Sequence, residues 1–254
     1  MHDAPSARRP VVAVLTGAGA GIGRAAALRL AADGMTVVVT DRHAGRMSAV
    51  VDEIVQAGGV ARGYVLDIER REHFTDVFAA VERELGPIGV YVWNAALNVQ
   101  QPLLSYDPEL FDRLVYANLN NCWFSSTLAA RQMERAGGGS IVMVGSVAPD
   151  TGATAVEAPY GMSKAGVRAL VLALAKVGAP LGIRCNEVIM GLVTGTRFVD
   201  TQPEKAAAFL PQVPRGVHTD TAEIAEVIAF LAGDRASAVT GEVLNASAGM
   251  LLRL

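Results

Sequence analysis

Short apolar runs alternate along this chain with longer amphipathic segments, and that alternation limits the folds open to it. Residues 11–16, 36–40, 60–65, 90–93, 140–144, 183–189 and 242–245 read as strands. Their near-continuous Val, Ile and Leu content suits strands covered on both faces, as in a parallel sheet. Between them, residues 22–33, 44–57, 70–85, 108–135, 160–177 and 221–232 read as helices. Gly34, Gly58, Gly86 and the glycine run 137–139 fall where helices should stop, and Asp220 precedes Thr221 where one should start. A repeated β-α-β pattern requires right-handed crossovers, so the expected fold is α/β, a doubly wound parallel sheet of about seven strands with helices on both faces. No linker or compositional break divides the chain. One domain is expected over residues 11–254, after an N-terminal tail at 1–10. The least regular stretch, at about 190–220, carries Pro203, Pro211 and Pro214 and is expected to be a substrate loop.

Composition removes several function classes. Of 254 residues, 51% are hydrophobic and 19% charged, with a formal net charge of −3. No basic run offers an electrostatic footprint for nucleic acid. The longest apolar runs, such as 11–15 and 169–175, are far shorter than a membrane span. The N terminus has charged residues in place of a signal peptide's apolar stretch. Cys122 and Cys185 lie in apolar surroundings without metal-like spacing, and His2, His43, His73 and His218 are scattered, so neither a disulfide framework nor a metal site is expected. These features point to a cytoplasmic protein that engages neither membrane nor nucleic acid.

The first strand runs into Thr16-Gly-Ala-Gly-Ala-Gly-Ile-Gly23, which opens the first helix. The dinucleotide fingerprint G-x-G-x-x-G does not fit; T-G-x-x-x-G-x-G, through Gly17, Gly21 and Gly23, does. Glycines there permit a tight turn and close backbone approach, so a diphosphate can rest on a helix N terminus. Asp41 ends the second strand, where a carboxylate can accept hydrogen bonds from ribose hydroxyls. Its charge repels a 2′-phosphate and favours NAD over NADP. Ala20 in the loop points the same way, whereas Arg42 next to Asp41 could accept a phosphate. Asp67, after the third strand, could contact an adenine edge or cap the next helix. The loop has no G-K-[ST] and Ser146 no G-x-S-x-G setting, which argues against an NTPase and a hydrolase elbow.

Tyr160-Gly-Met-Ser-Lys164 begins a helix and places Tyr160 and Lys164 on one face. An ammonium beside a phenol favours the phenolate, making Tyr160 a usable acid/base. The pair alone is common on helix surfaces. Its company is not: the segment 16–23, Asp67, Asn94-Ala95, Asn118, Gly145-Ser146, Asn186, Gly191 and Thr240-Gly241 with Asn245 stand in the order and spacing of one family. From Val11 to Gly249 the chain resembles the short-chain dehydrogenases/reductases, single-domain Rossmann-fold oxidoreductases.

That resemblance implies a catalytic tetrad. Tyr160 would protonate a carbonyl oxygen or deprotonate an alcohol, and Lys164 would assist it and bind the nicotinamide ribose. Ser146 would hold the substrate oxygen, and Asn118 would hold a water in a proton relay. It further implies a nicotinamide cradle of Gly17, Gly19, Gly21, Ile22 and Gly23, with Asp41 and Arg42, then Asp67 and Ile68. Asn94, Ala95 and Ala96, Gly191 and Val193 complete it, together with Tyr160 and Lys164. Family members are usually dimers or tetramers, so a homo-oligomer is expected.

The expected activity is NAD(H)-dependent interconversion of a secondary alcohol and a ketone. An NADPH-dependent ketoacyl-thioester reductase and a nicotinamide-binding protein without turnover are the alternatives. The departures from the family lie outside the tetrad. Trp93 and Ala96 replace Asn and Gly, Gly89 an Asp, and Met190 a Pro, where it could line the nicotinamide pocket. Thr194 and Thr196 flank the position of an expected Thr, and Ser247-Ala248-Gly249 replaces Asp-Gly-Gly. Asp150, Thr151 and Glu157 stand where the substrate mouth should form and read slightly better as solvated. Leu192, Val193, Phe198 and Phe209 would form a partly apolar lid.

Overall fold

A computed structural model describes residues 11–152 and 156–252; the tail expected at 1–10 lies outside the described residues. The first half of the chain runs β1 (Val12–Leu15), α1 (Gly21–Ala32), β2 (Thr36–Asp41), α2 (Ala44–Gln56), β3 (Val60–Val65), α3 (Arg71–Leu85), β4 (Ile88–Trp93), α4 (Pro108–Val115) and α5 (Asn121–Ala136). There follow β5 (Gly139–Val144), α6 (Ala148–Thr151), α7 (Ala158–Gly178), β6 (Ile183–Ile189), β7 (Val193–Thr194), α8 (Arg197–Thr201), α9 (Pro203–Ala208), β8 (Thr219–Asp220), α10 (Thr221–Ala232) and β9 (Val243–Asn245).

Seven strands form one parallel sheet in the order β3-β2-β1-β4-β5-β6-β9. The expected α/β doubly wound architecture is therefore present. Strand order reverses between β1 and β4, and a crevice opens beyond the carboxyl ends of strands at such a switch point.

Strand periodicity explains the two-sided core. Alternate residues face opposite ways, so Ala13, Leu15, Val37, Val39, Val90 and Val92 join one buried layer with Leu30 and Ile228 of α1 and α10. Val12, Val14, Val38, Tyr91 and Trp93 join the other, with Phe74, Phe78, Met133 and Val171 from α3, α5 and α7. Both faces of β1, β2, β4 and β5 being covered, those strands carry no polar alternation. Helices stop where a glycine takes positive φ: Gly34 (84°), Gly58 (86°), Gly86 (104°) and Gly137 (87°).

Two stretches differ from the sequence reading. The single helix expected at 108–135 is interrupted by a π turn, Tyr116–Asn120, between α4 and α5. Such a turn accommodates a wider helical loop, and Asn118 lies inside it. The stretch expected at 190–220 as a loop is largely structured: β7 and β8 pair in parallel through Val193–Thr219 and Thr194–Asp220, and α8 and α9 lie between them. Two-residue strands and helices of five or six residues carry too little periodicity to be read in advance.

Candidate active site

The glycine loop leaves β1 through a left-handed residue, Gly17 (φ 61°), and enters α1 through another, Gly21 (φ 55°). A Cβ on Gly17 would stand 2.9 Å from Ala95 Cβ, and one on Gly23 would collide with the Gly17 carbonyl. The loop is also fastened to the end of β4. Thr16 Oγ1 accepts from the N–H groups of Asn94 (2.9 Å) and Ala95 (3.1 Å), and Asn94 Nδ2 donates to the carbonyls of Thr16 (3.0 Å) and Gly17 (3.1 Å). The N-cap of α1 is Ala20, which supplies no side-chain cap. The first-turn N–H groups thus keep the partial positive charge of a helix N terminus.

These elements form one wall of a cleft of about 720 Å³. Gly17, Gly21 and Ile22 line it with Asp41, Arg42, Asp67, Ile68, Asn94, Ala95, Ala96 and Tyr160. At one end, Asp41 is 9% exposed; its Oδ2 accepts from Gly19 N–H (3.1 Å) and its Oδ1 from His43 N–H (2.9 Å). Those bonds fix the carboxylate against the glycine loop. Asp67 Oδ1 accepts from Glu69 N–H (3.0 Å), and α3 is instead preceded by Arg70 at its N-cap, so the capping alternative for Asp67 does not hold.

At the other end, Tyr160 and Lys164 share a face of α7. Lys164 is 2% exposed; its Nζ lies 5.6 Å from the Tyr160 ring centroid and donates to the Val144 carbonyl (2.6 Å). Asn118 is buried, accepting from Leu97 N–H (2.7 Å) and donating to Leu97 C=O (2.7 Å) and Ser163 Oγ (3.2 Å). Ser163 Oγ in turn donates to the Tyr160 carbonyl (2.8 Å). Asn118 thus clamps the loop after β4 and links it to the tyrosine's helix. Ser146 follows β5 half-buried, its Oγ accepting from Ala148 N–H (3.1 Å).

Some expected residues lie behind the cleft rather than on it. Gly19 and Gly23 shape the loop from within, Lys164 is buried 5.6 Å from the Tyr160 ring centroid, and neither Asn118 nor Ser146 lines the cleft. Gly191 packs under Met250, whose Sδ lies 2.7 Å from where a Cβ would be. Val193 is 3% exposed and Met190 5%, both in the core layer of α1 and α10, so neither serves as lid or pocket wall. Phe198 of α8 does line the cleft, as does Thr196, whereas Thr194 is taken up by β7.

Nor are Asp150 and Glu157 simply solvated. Asp150 pairs with Arg168 (2.9 Å), and Glu157 Oε1 accepts from Asn98 Nδ2 (3.1 Å) and Gln100 Nε2 (2.7 Å). Trp93, where the family has an amide, is fully buried 6.0 Å from Phe74. The sequence reading missed His43, Arg46, Asn98, Gln100 and Arg197, which also line the cleft. Only His43 and Arg46 carried a signal, their closeness in sequence to Asp41. Cys122 and Cys185 are buried free thiols, and burial pushes the Cys122 thiol up to about 12. Among the described residues no cluster of His, Cys, Asp and Glu could hold a metal, and no helix is long and apolar enough to cross a membrane.

The fold and cleft define a dinucleotide-fold oxidoreductase, and comparison with known proteins narrows the class. A family model described as enoyl-(acyl carrier protein) reductase matches residues 17–251. The chain is 33% identical over 242 residues to the 3-oxoacyl-[acyl-carrier-protein] reductase FabG of Thermotoga maritima, covering 95% of this chain and 98% of that one. It is 34% identical over 249 residues to the L-rhamnose 1-dehydrogenase (NAD(P)(+)) of Azotobacter vinelandii, covering 95% and 96%. Among solved structures, a gluconate 5-dehydrogenase from Burkholderia cenocepacia, in complex with NADP and tartrate, superposes with a TM-score of 0.88 at 26% identity, covering 94% of each chain. The chain belongs to the short-chain dehydrogenase/reductase family and is an oxidoreductase acting on CH–OH groups.

Proposed function

We propose that the protein interconverts a polar secondary alcohol and its ketone with NAD(H), using Tyr160 as general acid/base. One observation carries this reading: a single cleft joins Asp41 and the uncapped start of α1 to Tyr160, with Lys164 buried behind it. The residues fit a nicotinamide dinucleotide. The first turn of α1 suits its diphosphate, Asp41 the adenosine ribose, and the wall from Asn94 to Ala96 the chain between. Such a cofactor supplies hydride exchange with the substrate carbon.

The protein's part is orientation and a proton. Tyr160 Oη gives the proton to a ketone oxygen or takes it from an alcohol. Lys164 sets a positive charge opposite the one a Tyr160 phenolate would carry. Ser146 holds the substrate oxygen, while Asn118 fixes the loop after β4 and carries the relay link toward α7. Beyond Tyr160, Asn98, Gln100 and Arg197 give the cleft a polar mouth, which suits a hydroxylated substrate better than a long acyl chain. The rhamnose and gluconate dehydrogenases among its relatives support that choice. We also propose that the protein works in the cytoplasm as a homo-oligomer.

A second reading, use of NADPH, draws on Arg42, His43 and Arg46, which line the cleft beside Asp41 and could meet a 2′-phosphate. Turnover of L-rhamnose, gluconate and a 3-oxoacyl thioester, each with both cofactors, tests the assignment. The expected outcome is a higher kcat/KM with NAD(H), and a shift of about tenfold or more toward NADP(H) in Asp41→Asn, as a nearby like charge is removed. A higher kcat/KM with NADP(H) in the unaltered enzyme overturns the cofactor assignment; turnover of the thioester alone overturns the substrate class.

A further inference from the structure

Tyr160 and Lys164 continue as a stripe along α7, one turn at a time, to a third residue: Arg168. Its guanidinium makes four links. Nη1 and Nη2 donate to the two Asp150 carboxylate oxygens (2.9 Å each), Nε donates to Glu187 Oε2 (3.0 Å), and Nη2 reaches the Ser146 carbonyl (3.5 Å). Glu187 is fully buried on β6, on the face that otherwise carries Ile183 and Cys185 into an apolar layer. Its other oxygen, Oε1, has no hydrogen-bond partner among the described residues. That oxygen lies against Gly145, where any Cβ would collide with it.

A buried carboxylate is costly even when paired, and an apolar pair of similar volume would serve the core as well or better. The arrangement is therefore poorly explained as a device for stability alone. What it does geometrically is tie together the parts that orient Ser146. The Ser146 carbonyl bonds Arg168, and its Oγ is held by the first residue of α6. That short helix is anchored through Asp150 to Arg168, and Gly145 is pressed by Glu187 from below. All these links converge on the helix that carries Tyr160.

We propose that Arg168, braced by Glu187 and Asp150, is a positioning residue that sets Ser146 relative to Tyr160. The proposal rests on the reading above that Ser146 holds the substrate oxygen. Removing Arg168 alone would strand the buried Glu187 and confuse stability with placement, so the informative variant replaces both, Arg168→Leu with Glu187→Val. It is combined with Ser146→Ala in a double-mutant cycle, using whichever of L-rhamnose, gluconate or a 3-oxoacyl thioester the enzyme turns over fastest.

The expected result is a Tm within a few degrees of the parent and a kcat lowered about 10- to 100-fold, since small misplacements are costly in rate. On the Ser146→Ala background the same replacement should cost less than about twofold, because the group being placed is gone. Losses that multiply in full on that background overturn the proposal while leaving the role of Ser146 intact, and so does unchanged kcat in the Leu/Val variant. Unchanged kcat in Ser146→Ala itself instead removes the reading beneath it, and the proposal with it. If the Leu/Val variant fails to fold, Asp150→Asn leaves the buried pair in place. Its kcat loss must likewise vanish on the Ser146→Ala background, and persistence of that loss overturns the proposal.

Discussion

At position 248 the family's glycine is an alanine, and the backbone there keeps the left-handed conformation a glycine would have taken, with φ 55°. It stands alone among the described non-glycine residues in that region. The strain is held in place by the Arg215 N–H, which donates to the Ala248 carbonyl (3.3 Å), and by Met250 seated over Gly191. A Cβ in this conformation costs about 1–2 kcal/mol, part of which is offset by the chain entropy a glycine would lose. Ala248→Gly should therefore stabilise the fold by about 0.5–1 kcal/mol, measurable as a rise in denaturation midpoint at unchanged slope. A lower midpoint would mean that the alanine methyl makes a packing contribution larger than the strain.

At the scale of elements, α10 shows how a start signal works. Asp220 caps it, its Oδ1 accepting from Glu223 N–H (2.8 Å) while Glu223 Oε2 accepts from Asp220 N–H (2.9 Å), and Arg215 grips the same glutamate. The Arg215 hydrogen bond, with the Asp220 N–H behind it, lowers the Glu223 carboxyl to about 2. A carboxylate depressed in the folded state adds stability above its unfolded value, near 4.3, and loses it as pH falls through the folded one. The Tm deficit of Glu223→Gln should thus be full at pH 6 and shrink progressively as pH falls from about 4 toward 2. A deficit independent of pH would assign the effect to packing instead.

This cap and all seven sheet strands were legible in the sequence because each rests on local chemistry: buried β-branched runs, a capping Asp, glycines at positive φ. The π turn at Asn118 was not, since the bonds that hold Asn118 run to Leu97, in a loop outside its own helix. The ties of Asp150 and Glu157 were hidden for the same reason. Their partners, Arg168 and the Asn98–Gln100 amides, are distant in sequence and carry no periodic signal. The glycine loop, Asp41 and Tyr160 could be placed on one cleft from sequence, but the burial of Met190 and Val193 depends on how the chain after β6 packs into the core layer of α1 and α10.

Across the whole molecule, the two apolar layers leave some large side chains outside. Trp123 of α5 and Met162 and Leu172 of α7 are about half exposed, on helices that pack against each other. Exposed apolar area concentrated on neighbouring helices fits a surface that another copy covers. Sedimentation equilibrium should give two or four chains per particle, with Trp123→Glu shifting the mass toward one. A monomer at micromolar concentration would remove the oligomer from the account. If one cleft brings a nicotinamide and a substrate oxygen to Tyr160, then Tyr160→Phe, assayed side by side for NADH binding and for turnover, should separate the two. The dissociation constant for NADH should be unchanged and kcat should fall by about 10²–10⁴; turnover within a few-fold of the parent would remove Tyr160 from the acid/base role.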